Sequence, residues 1–215
     1  MLATGTLGEI KSFRASCRLS QVFQEMKGWT FTREKAGGGV LINSGCHLLY
    51  LLIQLFGRPK GVFVRACGVH NAVEDSLLSM IDFESGLSGS LEVTWSVPGH
   101  ETQTHDVEVT GTAGTLEVGN QWLRVWLARK SETLPAGWSQ WHREQTPPLA
   151  EFNLSPDYCG HEFFLEDQDF VEAVRKGRQP RVGMDSALAV QELVDALYRA
   201  MESGQYTTLT REVPA

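Results

Sequence analysis

Gly37-Gly38-Gly39-Val40-Leu41-Ile42-Asn43-Ser44-Gly45-Cys46-His47-Leu48-Leu49-Tyr50, running on through Leu51-Leu52-Ile53-Gln54-Leu55-Phe56-Gly57, is the stretch around which the chain is organised. Three successive glycines permit a turn or a close approach of backbone to a ligand. The residues after them read as a helix that starts near Asn43 or Ser44, either a competent cap, and stops at Gly57 with Pro59 beyond. Leu48 to Phe56 is almost wholly apolar, which predicts a core helix. Yet Asn43, His47 and Tyr50 recur at i, i+4 and i+7, one polar stripe along it. A buried stripe persists only where its groups find hydrogen-bond partners or face a cavity. It is either a set of satisfied core groups or one wall of a ligand site.

On the N-terminal side, residues 7–19 read as a turn feeding a strand, and residues 20–36 as irregular chain. On the C-terminal side residues 61–70 form a second strand. The clearest pattern follows: a strand over 76–83, a Glu84-Ser85-Gly86 turn and a return strand over 87–97. In the return strand Leu91, Val93, Trp95 and Val97 share one face, with Ser90, Glu92, Thr94 and Ser96 on the other. Residues 106–110, 115–118 and 122–127 continue as a meander. Residues 128–160, with Pro135, Pro147, Pro148 and Pro156, read as a long loop. Two helices close the chain: 161–176, carrying Phe163, Phe164, Phe170, Val171 and Val174, and a second capped by Asp185 or Ser186 and ended by Gly204. A short strand over 206–209 completes the sheet. The expected fold is α+β: a mostly antiparallel open sheet with helices packed on one face.

The 215 residues suffice for a substantial core, and 42% apolar with 21% charged residues is ordinary for a globular protein. A formal charge of −7 argues against nucleic acid or an anionic membrane as partner. Cys17, Cys46, Cys67 and Cys159 form no Cys-x-x-Cys pair, which suits free thiols in a reducing cytoplasm. The first residues show no export signal, and Leu48–Phe56 is far shorter than the ~20 residues of a membrane span. The expectation is a cytoplasmic protein without membrane or nucleic-acid partners. No Gly-x-Gly-x-x-Gly, no Gly-Lys phosphate loop, no Gly-x-Ser-x-Gly elbow and no metal-spaced His/Cys cluster occurs. The residues alone name no self-contained catalytic apparatus, and neither cofactor nor metal is expected to bind this chain.

The segment 37–50 resembles the signature of the glucose–fructose oxidoreductase/inositol dehydrogenase/MocA family: three glycines, three residues, Asp, x, Gly, x, His. Other parts agree in order: Gly5-Thr-Leu-Gly-Glu-Ile, the hairpin from Val73-Glu-Asp to Trp95-Ser, the Val109-Thr-Gly-Thr-Ala-Gly-Thr-Leu turn and Phe170-Val-Glu-Ala-Val-Arg-Lys-Gly. The resemblance covers nearly the whole chain, least at 120–158. It implies the second domain of a two-domain oxidoreductase, an open sheet resembling the C-terminal domains of dihydrodipicolinate and glyceraldehyde-phosphate dehydrogenases. That domain binds substrate and builds the oligomer through the sheet face. Residues 1–215 would be this domain alone. NAD or NADP and the family's lysine would belong to a Rossmann domain absent from the sequence. The implied activity is oxidation of a sugar or polyol hydroxyl, with a non-catalytic ligand-binding or assembly module as the alternative.

Within that resemblance His47 aligns with the family histidine that assists proton transfer at the substrate hydroxyl. An imidazole suits the work because it titrates near neutrality. Asn43 stands where the family usually has Asp, and Tyr50 replaces a second acid. Asn43 and His47 are the candidate catalytic residues; Gly38, Gly39, Tyr50, Lys35 and Arg33 are candidates for substrate contact. For Trp29, Arg33 and Lys35 a solvated loop is an equal alternative. Trp122, Trp126, Trp138 and Trp141 would stack on a sugar or, preferably, line a subunit contact. Tyr158 and His161, flanking Cys159, are read as helix-capping groups, and Glu74-Asp75 as a solvated strand start.

Overall fold

The computed structural model describes residues 1–23, 28–68, 73–145 and 160–209. The described residues form nine strands: β1 (Ile10–Arg18), β2 (Pro59–Cys67), β3 (Ser76–Phe83), β4 (Ser88–Thr94), β5 (Thr104–Gly111), β6 (Gly114–Val118), β7 (Trp122–Leu127), β8 (Gly137–His142) and β9 (Thr207–Thr208). They form one open sheet in the order β8-β7-β6-β5-β1-β4-β3-β2-β9. Neighbours are antiparallel except β1 and β4, which run parallel with Ala15 beside Leu91. The sheet is therefore mixed, in an α+β fold. The central strands bury alternate residues: Phe13, Ala15 and Cys17 of β1 meet Leu91 and Val93 of β4 and Val107 and Val109 of β5 in the core.

Among the described residues there are four α-helices: α1 (Arg33–Ala36), α2 (Cys46–Phe56), α3 (Gly160–Lys176) and α4 (Met184–Ser203). Helix α2 lies on the sheet against α4, burying Leu48, Leu49 and Leu52. Its C-terminal end is held by rings: Phe56 stacks on Phe13 of β1 at 4.9 Å between centroids and meets Phe83 of β3 edge-on at 5.6 Å. Such aromatic pairs add to simple area burial.

Several expectations need correction. The central helix does not begin at Asn43 or Ser44. Val40 is already helical and Leu41–Gly45 forms a π turn leading into α2. Gly45 permits it, since a side chain there would meet Val93 at 3.3 Å. Nor is α2 enclosed: Asn43, His47, Leu51, Gln54 and Leu55 are exposed. Residues 20–36 include the α1 turn, closed by Gly37 at φ 79°. The stretch 128–160 is not all loop. It contains β8, whose alternating Trp138, Gln140 and His142 pair with β7. Helix α4 is capped by Gly183, not by Asp185 or Ser186. On α3 the apolar Phe163, Phe170, Val171 and Val174 are exposed and Ala173 is buried. Taken together, residues 33–56 are long and apolar enough to cross a bilayer. Gly37 breaks them in a left-handed conformation, however, and their buried side chains join the core of the sheet.

Candidate functional site

The three glycines are seated against two side chains from elsewhere in the chain. Glu74, just before β3, places its carboxylate Oε1 2.8 Å from the Gly39 N–H, 3.3 Å from the Leu41 N–H and 2.9 Å from the Tyr198 hydroxyl, all of which donate to it. The Glu74 backbone carbonyl accepts the Val40 N–H at 2.9 Å. Gly38 and Gly39 are required by this approach. A Cβ at 38 would lie 1.9 Å from the Tyr198 hydroxyl, and one at 39 would lie 2.0 Å from the Glu74 carbonyl oxygen. The free donors at a helix N-terminus need acceptors, and a carboxylate satisfies them while complementing the dipole. Hydrogen bonds to a charged acceptor contribute about 1.5–3 kcal/mol each. Burial, reinforced by the Glu74 charge, pushes the Tyr198 phenol well above its ordinary value. The solvated strand start expected at Glu74-Asp75 is thus overturned: Asp75 is fully buried and Glu74 ties the glycine run to α4.

A second chain of hydrogen bonds orients the exposed stripe. Trp95, fully buried, donates from Nε1 to the Ser44 hydroxyl at 2.9 Å. Ser44 in turn donates to the Asn43 amide oxygen at 3.3 Å. Asn43 is exposed, and its amide carries two N–H donors besides the oxygen that Ser44 engages. His47 lies about one turn further along on the same exposed side, and Tyr50 is half-buried. From the sheet, His105 of β5 comes within electrostatic reach of His47. Burial lowers its basicity, the charge of His47 lowers it further and Asp106 opposes both. His105 Nε2 lies 2.9 Å from Gln103 Nε2, and the His105 N–H donates to Asn120 Oδ1 at 2.8 Å.

Asn43 and His47 thus share the exposed stripe, His105 with Gln103 lies within electrostatic reach of His47, and Gly38 and Gly39 are buried. Arg33 turns toward α4, where it pairs with Glu202 at 3.2 Å, and Lys35 and Trp29 are exposed. Tyr158, Cys159 and the side chain of His161 lie outside the described residues. Sequence reasoning missed Glu74, Ser44 and His105. Only the Glu74-Asp75 pair offered a signal, and its partners lie 35 and 124 positions away. Chemically, the exposed group offers amide donors at Asn43 and proton donation or acceptance at two imidazoles.

The fold is that of the C-terminal, open-sheet domain of an oxidoreductase family. The family model described as "Oxidoreductase family, C-terminal alpha/beta domain", of the glucose–fructose oxidoreductase/inositol dehydrogenase/MocA group, matches residues 1–209, and the chain belongs to that family. D-xylose 1-dehydrogenase (NADP(+)) 2 of Haloferax volcanii is 24% identical over 168 residues, 78% of this chain and 47% of that protein. Levoglucosan dehydrogenase in complex with NADH superposes with a TM-score of 0.84 at 20% identity, covering 98% of this chain and 61% of that one. An oxidoreductase domain protein from Kribbella flavida gives 0.82 at 22%, with coverage of 98% and 61%. At these identities the structures show the shared fold. The chain spans about half the length of the dehydrogenase from Haloferax volcanii.

Proposed function

We propose that this chain is the substrate-binding and oligomerising domain of an NAD(P)-dependent oxidoreductase that acts on a sugar or polyol hydroxyl in the cytoplasm. The observation that carries this reading is the exposed Asn43–His47 step on a largely apolar helix, with His105 within electrostatic reach of His47. Asn43 donates a hydrogen bond to a substrate oxygen. His47 holds the reacting hydroxyl and takes its proton, the role an imidazole performs near neutral pH. Membership in an oxidoreductase family, together with the likeness to a D-xylose dehydrogenase, supports the substrate class.

The start of this helix does not fit the phosphates of a dinucleotide. The amides of Gly39, Val40 and Leu41, which would face a phosphate at this helix start, already donate to Glu74. In this reading NAD or NADP, which supplies the hydride acceptor when bound, is held by a separate Rossmann domain.

The test is calorimetric titration of the protein with pentoses, hexoses, anhydrosugars and inositols. A polyol should bind, and His47→Ala should weaken it about tenfold, the loss expected for one good hydrogen bond. Binding that is equally strong in His47→Ala, or absent for every sugar and polyol, would overturn the reading. A non-catalytic ligand-binding module is the second reading, favoured by the amide at Asn43 where a carboxylate would raise the basicity of His47.

A further inference from the structure

We propose that Glu74 is a positioning residue for the site: its carboxylate fixes the register of the Leu41–Gly45 π turn and so the direction in which Asn43 and His47 face. This rests on the reading of Asn43 and His47 given above. A π turn carries one residue more per hydrogen-bonded ring than an α-helix, is intrinsically less favourable, and tends to occur where function requires it. Here it is held from both sides. At its start, one carboxylate oxygen of Glu74 accepts from Gly39, Leu41 and Tyr198, and the Glu74 carbonyl accepts from Val40. At its end, Gly45 lies flat against Val93 of β4, and Ser44 is fixed by Trp95.

Asn43 sits inside this turn and His47 directly after it. If the turn tightened to α geometry, every residue before it would rotate relative to α2 by about one residue's arc, roughly 100°. Asn43, inside the turn, would then swing about the helix axis relative to α2, although it and His47, four positions apart, would stay at neighbouring places on one side. The Phe13–Phe56–Phe83 cluster holds the far end of α2, so that adjustment would fall on the N-terminal turn, where Glu74 acts. Tyr198 extends the same hold to α4, coupling that helix to the site through a single acceptor atom.

The experiment follows the His47 ring and Asn43 side-chain amide resonances by NMR in wild type, Glu74→Ala, Glu74→Gln and Tyr198→Phe, with the Trp126 and Trp138 indoles as distant controls. Glu74→Ala should move the His47 and Asn43 signals while the indoles stay in place. Glu74→Gln, which keeps one carbonyl acceptor, should recover part of the displacement, and Tyr198→Phe should move the signals in the same direction by less. Unchanged His47 and Asn43 signals in a folded Glu74→Ala protein overturn the proposal. Should that variant fail to fold, Glu74→Gln and Tyr198→Phe decide it by the same criterion. The resonances report on positioning whether or not a sugar binds, so failure of the substrate reading and failure of this one are separable. Where a polyol does bind, its affinity should fall at least fivefold in Glu74→Gln.

Discussion

Gly38 and Gly39 lack side chains for different physical reasons, and the difference is measurable. At 38 the obstacle is the end of a side chain, the Tyr198 hydroxyl. At 39 it is the backbone carbonyl of Glu74, which cannot move without disturbing the entry to β3. Gly38→Ala is expected to cost about 1–3 kcal/mol, the usual range for overpacking, and Gly39→Ala more. Denaturant unfolding of both variants checks this, and a larger cost at 38 would contradict it. Asn43 allows a second test. A carboxylate at 43 would stabilise the imidazolium of His47 across the exposed step, so Asn43→Asp should raise the His47 midpoint in an NMR titration. A midpoint that stays put would show that the two groups do not interact. Cys17 supplies a third. It is 1% exposed, and burial pushes its thiol up to about 12, with Gln103 opposing and Cys46 adding to the rise. Unfolded, it would ionise near its ordinary value of 9.0, so between these values the folded state holds one proton more. Stability contributed by Cys17 is therefore complete below pH 9.0 and is lost as pH rises toward about 12, by about 1.4 kcal/mol per unit. Cys17→Ala should flatten the alkaline fall by about one proton; parallel stability curves for the two proteins would refute this.

At the scale of elements, legibility followed the reach of each interaction. Strands β3 and β4 were readable because alternation and the Glu84-Ser85-Gly86 turn are local, and the fold pairs them as a hairpin with Leu77 beside Val93 and Ser79 beside Leu91. Strand β8 was not, because prolines surround it and Trp138, Gln140 and His142 carry no buried apolar face of their own. Its pairing depends on β7, with Trp126 opposite Trp138. The start of the central helix was misplaced for a related reason. Asn43 resembles a cap, but the acceptor that caps this helix is Glu74, brought in from the entry to β3. The polar stripe was correctly located, whereas its exposure was not foreseen: periodicity marks which residues share a side, and only tertiary packing decides whether that side is covered. On α3 the same limit shows at Phe163 and Phe170, apolar in sequence and exposed in the fold.

For the whole molecule the open face of the sheet sets the last expectation. Hydrogen-bond register lines up Ser90, Arg14, Glu108, Glu117, Arg124 and Gln140 across β4, β1, β5, β6, β7 and β8. Arg14, Arg18, Glu92, Asp106, Glu108 and Trp122 line a shallow depression of about 420 Å³ there. Arg18 is bound to Glu92 at 2.9 Å and Arg124 to Glu117, so many of the charges are already matched within the face. On one side lie Leu78 and Met80, on the other Trp126 and Trp138, all substantially exposed. The Arg124 guanidinium packs 4.8 Å over Trp122 and 5.4 Å over Trp138. A face with internally paired charges flanked by exposed apolar groups loses little by desolvation and gains from burial. Two-fold association is the commonest way for like chains to cover such a face. We therefore expect the protein to form a dimer or a larger even assembly at micromolar concentration. Trp126→Glu should weaken it at least about tenfold by forcing an unmatched charge into the contact, while leaving the fold intact because Trp126 points away from the core. Sedimentation equilibrium decides the matter: a wild-type protein with the mass of one chain throughout that range would rule the assembly out, and association unchanged in Trp126→Glu would move the contact off this face.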